Sequence, residues 1–426
     1  MKQHFIYNAI VLWLLVGLTV GVWAFGGSLP TVKAEGEKPI SDADIGTVVA
    51  GNSEFGLGLY ARLKDDLKIR QQGGNLFFSP YSISTALAMT YAGARGETEK
   101  QMADVLHFSL AQEQLHPTFA GLEKQLNEAG KKGAYELTVA NALWAQKGYG
   151  FLKDFLNLTR ENYGAGFNEA DFISEAEKAR KTINRWVEKK TKEKIKDIIQ
   201  PGILSDLTRL VLTNAIYFKG YWASKFEPEN TKPVPFYVTK NKTEQARMMY
   251  QQGQFKYAET DKLQILELPY KGDDLSMVLL LPKQVDGLAE LEKSLTLENL
   301  NDLLGKLRKQ KVEVYIPKFK MTSEFSLARL LADMGMPDAF SRKADFSGMN
   351  GTLDLFISAV LHKAFVEVNE EGTEAAAATA VVMKLKGAAS APPVFRADHP
   401  FVFTIKDIHS GSILFIGRIM NPVKSE

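Results

Sequence analysis

Seven strand-like runs crowd the second half of this chain and constrain its fold more than any other feature. LVLTNAIYFKG, at residues 210–220, reads as a buried strand, and ILELPY, SMVLLLP, KVEVYIPKF, KAFVEV, FVFTI and ILFIGRI follow it. Runs of this length, rich in Val, Ile, Phe and Tyr, suit a pleated surface better than a helix. The first half reads differently. Phe55, Leu59, Leu63 and Leu67 fall on one helical face, with Ser53 as a plausible cap. A small-residue helix starts at Pro80, and INRWVEKKTKEKIKDII is amphipathic. Helices first and strands later predict an α+β fold, with helices packed around large, mostly antiparallel sheets.

The 426 residues can bury a large core, and no Pro/Gly/Ser-rich linker, low-complexity tract or repeat divides them after the amino-terminal tail. Residues 35–52 read as a polar linker and 53–426 as one domain. Lys plus Arg number 52 against 50 for Asp plus Glu, so no global charge points to nucleic acid, and the lysine run at 188–196 reads as a solvated helix face. Residues 5–32 carry no Asp, Glu, Lys or Arg and include AIVLWLLVGLTVGVW after Lys2. Residues 1–34 therefore read as a signal peptide or a membrane anchor. The short apolar core and Val32-Lys33-Ala34 before Glu35 favour a cleaved signal, hence a secreted or extracytoplasmic protein that touches a membrane only if the segment is retained. The chain has no cysteine, which excludes disulfides and a thiol nucleophile.

Motifs for catalysis or metal binding are absent from the sequence. His4, His107, His116, His362, His399 and His409 show no metal-binding spacing and no HExxH, and no GxSxG, SxxK or phosphate loop occurs. A Ser, His and Asp triad dispersed along the chain stays open, because such residues meet only in space. GLGLYA, at 56–61, matches a dinucleotide fingerprint by letter, but no strand precedes it. No metal and no cofactor is expected. Asn157-Leu158-Thr159 and Asn241-Lys242-Thr243 are glycosylation patterns that matter only in a host that glycosylates.

The segment EEGTEAAAATAVVMKLKG, at 370–387, resists a local reading. Alanine propensity alone makes residues 374–386 a helix, yet Val381, Val382 and Met383 are consecutive and favour a strand. Helix, strand and exposed loop all stay open at this level.

Ten words along the chain, in order, resemble the serpin family of protease inhibitors: NLFFSPYSIS, GARGETEKQM, INRWVEKKTKEKI, LTNAIYFKGYW, LELPY with MVLLLP, IPKFKM, GMPDAF, HKAFVEVNEEGTEAAAAT, HPFVF and GRIMNP. The resemblance covers roughly residues 53–422. It implies one domain of three β-sheets and about nine helices, and a monomer whose partner is a target serine protease. It also implies that residues of about 370–398 form an exposed reactive-centre loop. Cleaved by the protease, that loop inserts as a new strand of the main sheet and traps a covalent acyl-enzyme, so the protein is a suicide substrate and not an enzyme. A binding or carrier protein on the same scaffold is the alternative.

The residues suit that role. The hinge Glu370, Glu371, Gly372, Thr373, Glu374, Ala375, Ala376, Ala377, Ala378, Thr379 contains no proline, and strand alternation puts Thr373, Ala375, Ala377, Thr379 and Val381 on one face. That face is uncharged, so it can enter a closed sheet without burying an unpaired charge. The resemblance also assigns Ser79, Ser82, Asn214 and His362 to a polar cluster where the sheet opens. Trp222 falls at the first insertion point, and Lys318 with Glu370 forms an ion pair at the base of the loop. The family's bait bond lies sixteen positions beyond Glu370, between Lys386 and Gly387, which suits a trypsin-like protease. Cleavage after Met383 or Leu385 would suit a chymotrypsin-, elastase- or subtilisin-like target, and cysteine proteases are a further alternative.

Overall fold

The computed structural model describes residues 40–131, 135–164, 166–372 and 391–424. The first helix, Asp42–Leu63, begins eleven residues before the expected cap at Ser53. Its true cap is Ser41, whose Oγ accepts from Asp44 N–H at 3.2 Å while the Asp44 carboxylate accepts from Ser41 N–H at 3.1 Å. The polar linker expected at 35–52 is therefore corrected at 42–52, where Ile45, Val48 and Val49 are core residues of this helix; residues 35–39 lie outside the described residues. Ser53 sits mid-helix and satisfies its hydroxyl on Val49 O at 2.8 Å. Gly56, inside the nucleotide-like motif, serves packing: a Cβ there would lie 2.6 Å from Pro80 Cβ, at the start of the helix Pro80–Tyr91.

Eleven α-helices stand among the described residues, two of them only four or five residues long, against the nine or so expected. The strands form two hydrogen-bonded sheets. Three are merged into two because the 18-residue strand Lys242–Glu259 pairs with Lys232–Thr239, Arg308–Pro317 and Leu263–Pro269 in turn, joining two groups into a nine-stranded network. One edge of that network is the short strand Val394–Arg396, parallel to Arg308–Pro317.

The second sheet has five strands, in the order Phe319–Ser326, Ile357–Val368, Leu210–Gly220, Tyr135–Gln146, Phe167–Ala170. Leu210–Gly220 is buried along ten of its eleven positions, as suits a mostly apolar central strand. Its pairing with Ile357–Val368 is parallel, running from Ile357↔Leu210 to Phe365↔Tyr217. Parallel neighbours need a long connection, and here one of about 140 residues separates them. No local turn ties the two strands together, so this seam is where the sheet can part with the least disruption of chain continuity.

Candidate functional site

Two features converge on the seam: a buried polar cluster along it and a hinge at its end. Ser79 caps the helix Pro80–Tyr91, its Oγ accepting from Ser82 N–H at 3.1 Å and donating to Leu414 O at 2.6 Å. Ser79 N–H donates to His362 Nε2 at 3.2 Å. With Nε2 accepting, the ring proton sits on Nδ1 and is donated to Asn214 Oδ1. His362 and Asn214 are register partners across the seam. Asn214 Nδ2 donates to Ser82 Oγ at 2.5 Å and to Asn141 Oδ1. Asn141 in turn donates to Ser82 O at 3.1 Å and accepts from Ser82 Oγ at 3.0 Å.

The four residues expected to meet here do meet, and Asn141 joins them. It faces Asn214 in register on the neighbouring strand. Its signal was visible: TVANALWA and LVLTNAIYF both carry Asn-Ala inside an apolar strand, and a buried amide in such a run needs a polar partner. The cluster is not catalytic. Both ring nitrogens of His362 are engaged, and the Ser79 hydroxyl donates to a carbonyl and not to the imidazole.

Burial pushes the His362 pKa down to about 3 from an ordinary 6.5, a bond involving Asn214 opposing the shift only in part. His116, buried in an aromatic pocket and bonded to Tyr163 Oη at 2.6 Å, is lowered to about 4, again chiefly by desolvation and further by Arg95. Between about pH 6.5 and these values the unfolded chain takes up protons that the folded chain refuses. Stability is therefore present above 6.5 and is lost as pH falls, by up to about 1.4 kcal/mol per pH unit and histidine. The urea midpoint is expected to be lower at pH 5 than at pH 7, with His116→Phe removing about half the drop. A profile flat between these values would contradict neutral burial of the two rings.

At the end of the strand Ile357–Val368 the chain turns back, Gly372 N–H donating to Asn369 O at 3.2 Å. Gly372 has φ +90°, and a Cβ there would stand 2.3 Å from Trp222 N and 2.4 Å from Gly220 O. Only glycine lets the turn settle onto the end of the neighbouring seam strand. Trp222 N–H donates to Glu371 O at 3.0 Å, Phe226 N–H to Glu370 O at 2.9 Å, and Trp222 Nε1–H to Asn369 O at 3.0 Å. The indole stacks on Tyr270, centroids 4.6 Å apart.

Lys318 Nζ lies 2.6 Å from Glu370 Oε2, and Thr231 Oγ1 donates to Glu370 Oε1 at 2.8 Å. Burial alone would raise the Glu370 pKa, but these bonds and a backbone N–H outweigh it and hold the carboxyl below its ordinary range. Trp222, Lys318, Glu370, Glu371 and Gly372 thus gather at the seam's end. Thr373 to Thr379, the bait bond Lys386 to Gly387, and the leader at 1–34 lie outside the described residues.

The serpin (serine protease inhibitor) family pattern matches residues 50–422. The pig leukocyte elastase inhibitor (Sus scrofa) is 44% identical over 382 residues, covering 88% of this chain and 99% of its own. The human protein of the same name (Homo sapiens) is also 44% identical, with the same coverage. The crystal structure of uncleaved ovalbumin superposes with a TM-score of 0.79 at 34% identity, covering 88% of this chain and all of the other. This chain belongs to the serpin family.

By that membership it is a serpin protease inhibitor and not a catalytic enzyme. The secreted or membrane-anchored localisation expected from residues 1–34 is corrected: the relatives that match over 99% of their own length are leukocyte elastase inhibitors. An uncharged apolar run has the hydropathy of an export signal whether or not a cell uses it, which is why composition misled. No described helix is long and apolar enough to cross a membrane.

Proposed function

We propose that this serpin inhibits elastase-like serine proteases by inserting its cleaved loop into the seam between Ile357–Val368 and Leu210–Gly220. The observation that carries this reading is the hinge turn Asn369–Gly372, seated on the end of the parallel seam, and the proline-free stretch that follows it directly in sequence carries its only charge to residue 383, Glu374, outside the alternating set Thr373, Ala375, Ala377, Thr379 and Val381. Attack on the bait bond forms an acyl-enzyme, and insertion then carries the protease away from its aligned geometry before water completes hydrolysis. A protein working this way is held native by a barrier and not by equilibrium.

The target class rests on the names of the relatives, and elastase-type pockets favour small or apolar residues. The bait bond is then expected after Met383 or Leu385. A second reading is favoured by the sixteen-residue offset from Glu370, now placed in its ion pair: cleavage between Lys386 and Gly387 by a trypsin-like enzyme. Mixing the protein with leukocyte elastase is expected to give a complex that survives boiling in detergent. Mass spectrometry of the released fragment should find a new amino terminus at Lys384 or Lys386. A stable complex with trypsin and a terminus at Gly387 would establish the lysine reading instead. Cleavage by both proteases without any complex would leave a carrier or binding role as the better account.

A further inference from the structure

We infer that the cavity between the helix Gln112–Lys131 and the strand Tyr135–Gln146 binds a small organic cation, an ammonium group carried on a short apolar body. The cavity measures about 230 Å³ and takes no residue from the seam or the hinge. Spacing builds its walls. Glu123, Leu126 and Asn127 stand three and four residues apart and share one face of the helix. Leu137 and Val139, two apart on the strand, share one face of the sheet and form the opposite wall. Tyr81, 2% exposed at the start of the helix Pro80–Tyr91, lines the space from a third element.

The charge in this cavity lacks its usual complement. Partial burial raises the Glu123 carboxyl above its ordinary range, and a bond to the Asn127 side chain opposes the shift. Tyr81 and Tyr163 are raised first by their own burial and then by the Glu123 charge, so that charge is felt at both rings. No cation among the described residues pairs with Glu123. Lys124, beside it in sequence, reaches Glu128 instead, at 4.0 Å. A carboxylate drawn out of water is ordinarily paired, and the open space next to this one is where a cation fits.

The walls choose among cations. A metal ion of the hard kind needs several oxygen ligands, and among the described residues no group of three metal-binding side chains occurs. Leu126, Leu137 and Val139 suit an apolar body instead. An apolar cavity of about 150 Å³ holds benzene, so this larger one leaves room for a ring with a two-carbon ammonium arm. Leu137 pairs with Phe218 and Val139 with Ile216 of the seam strand, which puts the occupant one strand from the opening.

Isothermal titration calorimetry of the full chain with 2-phenylethylammonium chloride tests the site, with neutral 2-phenylethanol as the control. Wild type is expected to bind the ammonium at least about tenfold more tightly than the alcohol. Glu123→Gln should remove that preference, weakening the ammonium about tenfold and leaving the alcohol within about twofold. Val139→Phe, which fills the cavity from the strand side, should abolish binding of both. Should that variant fail to fold, the Glu123→Gln comparison decides alone. An ammonium bound no more tightly than the alcohol, no binding to wild type, or ammonium binding that survives either substitution unchanged would each overturn the site.

Discussion

Thr373→Arg is expected to turn this protein from an inhibitor into a substrate, with the yield of covalent complex falling at least tenfold. Residue 373 follows Gly372, the last residue of the turn seated on Gly220 and Trp222, so it is the first to enter the seam when the strands part. A guanidinium there must be buried without a countercharge before any later residue can follow. That costs several kcal/mol, and each 1.4 kcal/mol slows insertion tenfold. The bait bond itself is untouched and stays cleavable, so hydrolysis overtakes trapping. Gel analysis with leukocyte elastase reads the ratio of complex to cleaved inhibitor. An unchanged ratio would refute the inward face assigned to Thr373, Ala375, Ala377, Thr379 and Val381.

The second large effect is expected from Asn214→Ala. Asn214 accepts from His362 and donates to Ser82 and Asn141, so its truncation leaves the buried His362 Nδ1–H without a partner and removes one bond each from Ser82 and Asn141, which keep the bond to each other. Each orphaned group costs about 1–3 kcal/mol. In the opened sheet water reaches the same groups, so the loss falls mainly on the closed state and lowers the barrier to opening. With about 3 kcal/mol removed from that barrier, the half-life of the active form at 37 °C shortens by about a hundredfold. Residual inhibition after timed incubation measures it. Asn141→Ala is expected to act in the same direction, which separates a shared network from a private role of Asn214.

The fold class was legible in the sequence because each level agreed: apolar runs for the strands, one-sided patterns for the helices. Leu210–Gly220 is the clearest case, a mostly apolar run that became a central strand. Helix beginnings were less legible. The start of Asp42–Leu63 was missed because its capping box, Ser41 and Asp44, sits in polar sequence that also suits a linker, while Ser53 imitates a cap before a strong apolar face. The sheet count depended on one strand long enough to pair with three others, which no local pattern reports.

The site was legible only through the family's words. Nothing in spacing joins Ser79 to His362, 283 residues apart, or Lys318 to Glu370, 52 apart. The helix Pro80–Tyr91, packed on the sheet, brings the first pair together, and the register of Phe319–Ser326 on Ile357–Val368 the second; both are properties of the folded chain. Asn141 was missed for the same reason, although its amide in an apolar strand was a readable anomaly. Gly372 stood in the sequence only as one residue of the hinge. In the structure it does something narrower, permitting one close approach to Trp222 that any Cβ would forbid.

The central claim is that the seam between Ile357–Val368 and Leu210–Gly220 receives the cleaved loop. Nicking the loop with a protease and then heating the nicked and intact proteins in parallel tests it most directly. Insertion adds a central strand to the five-stranded sheet and releases the strain that keeps the intact form metastable. The nicked protein is therefore expected to remain folded to above about 90 °C, far beyond the temperature at which the intact form unfolds. Unfolding of both forms at the same temperature would contradict the account.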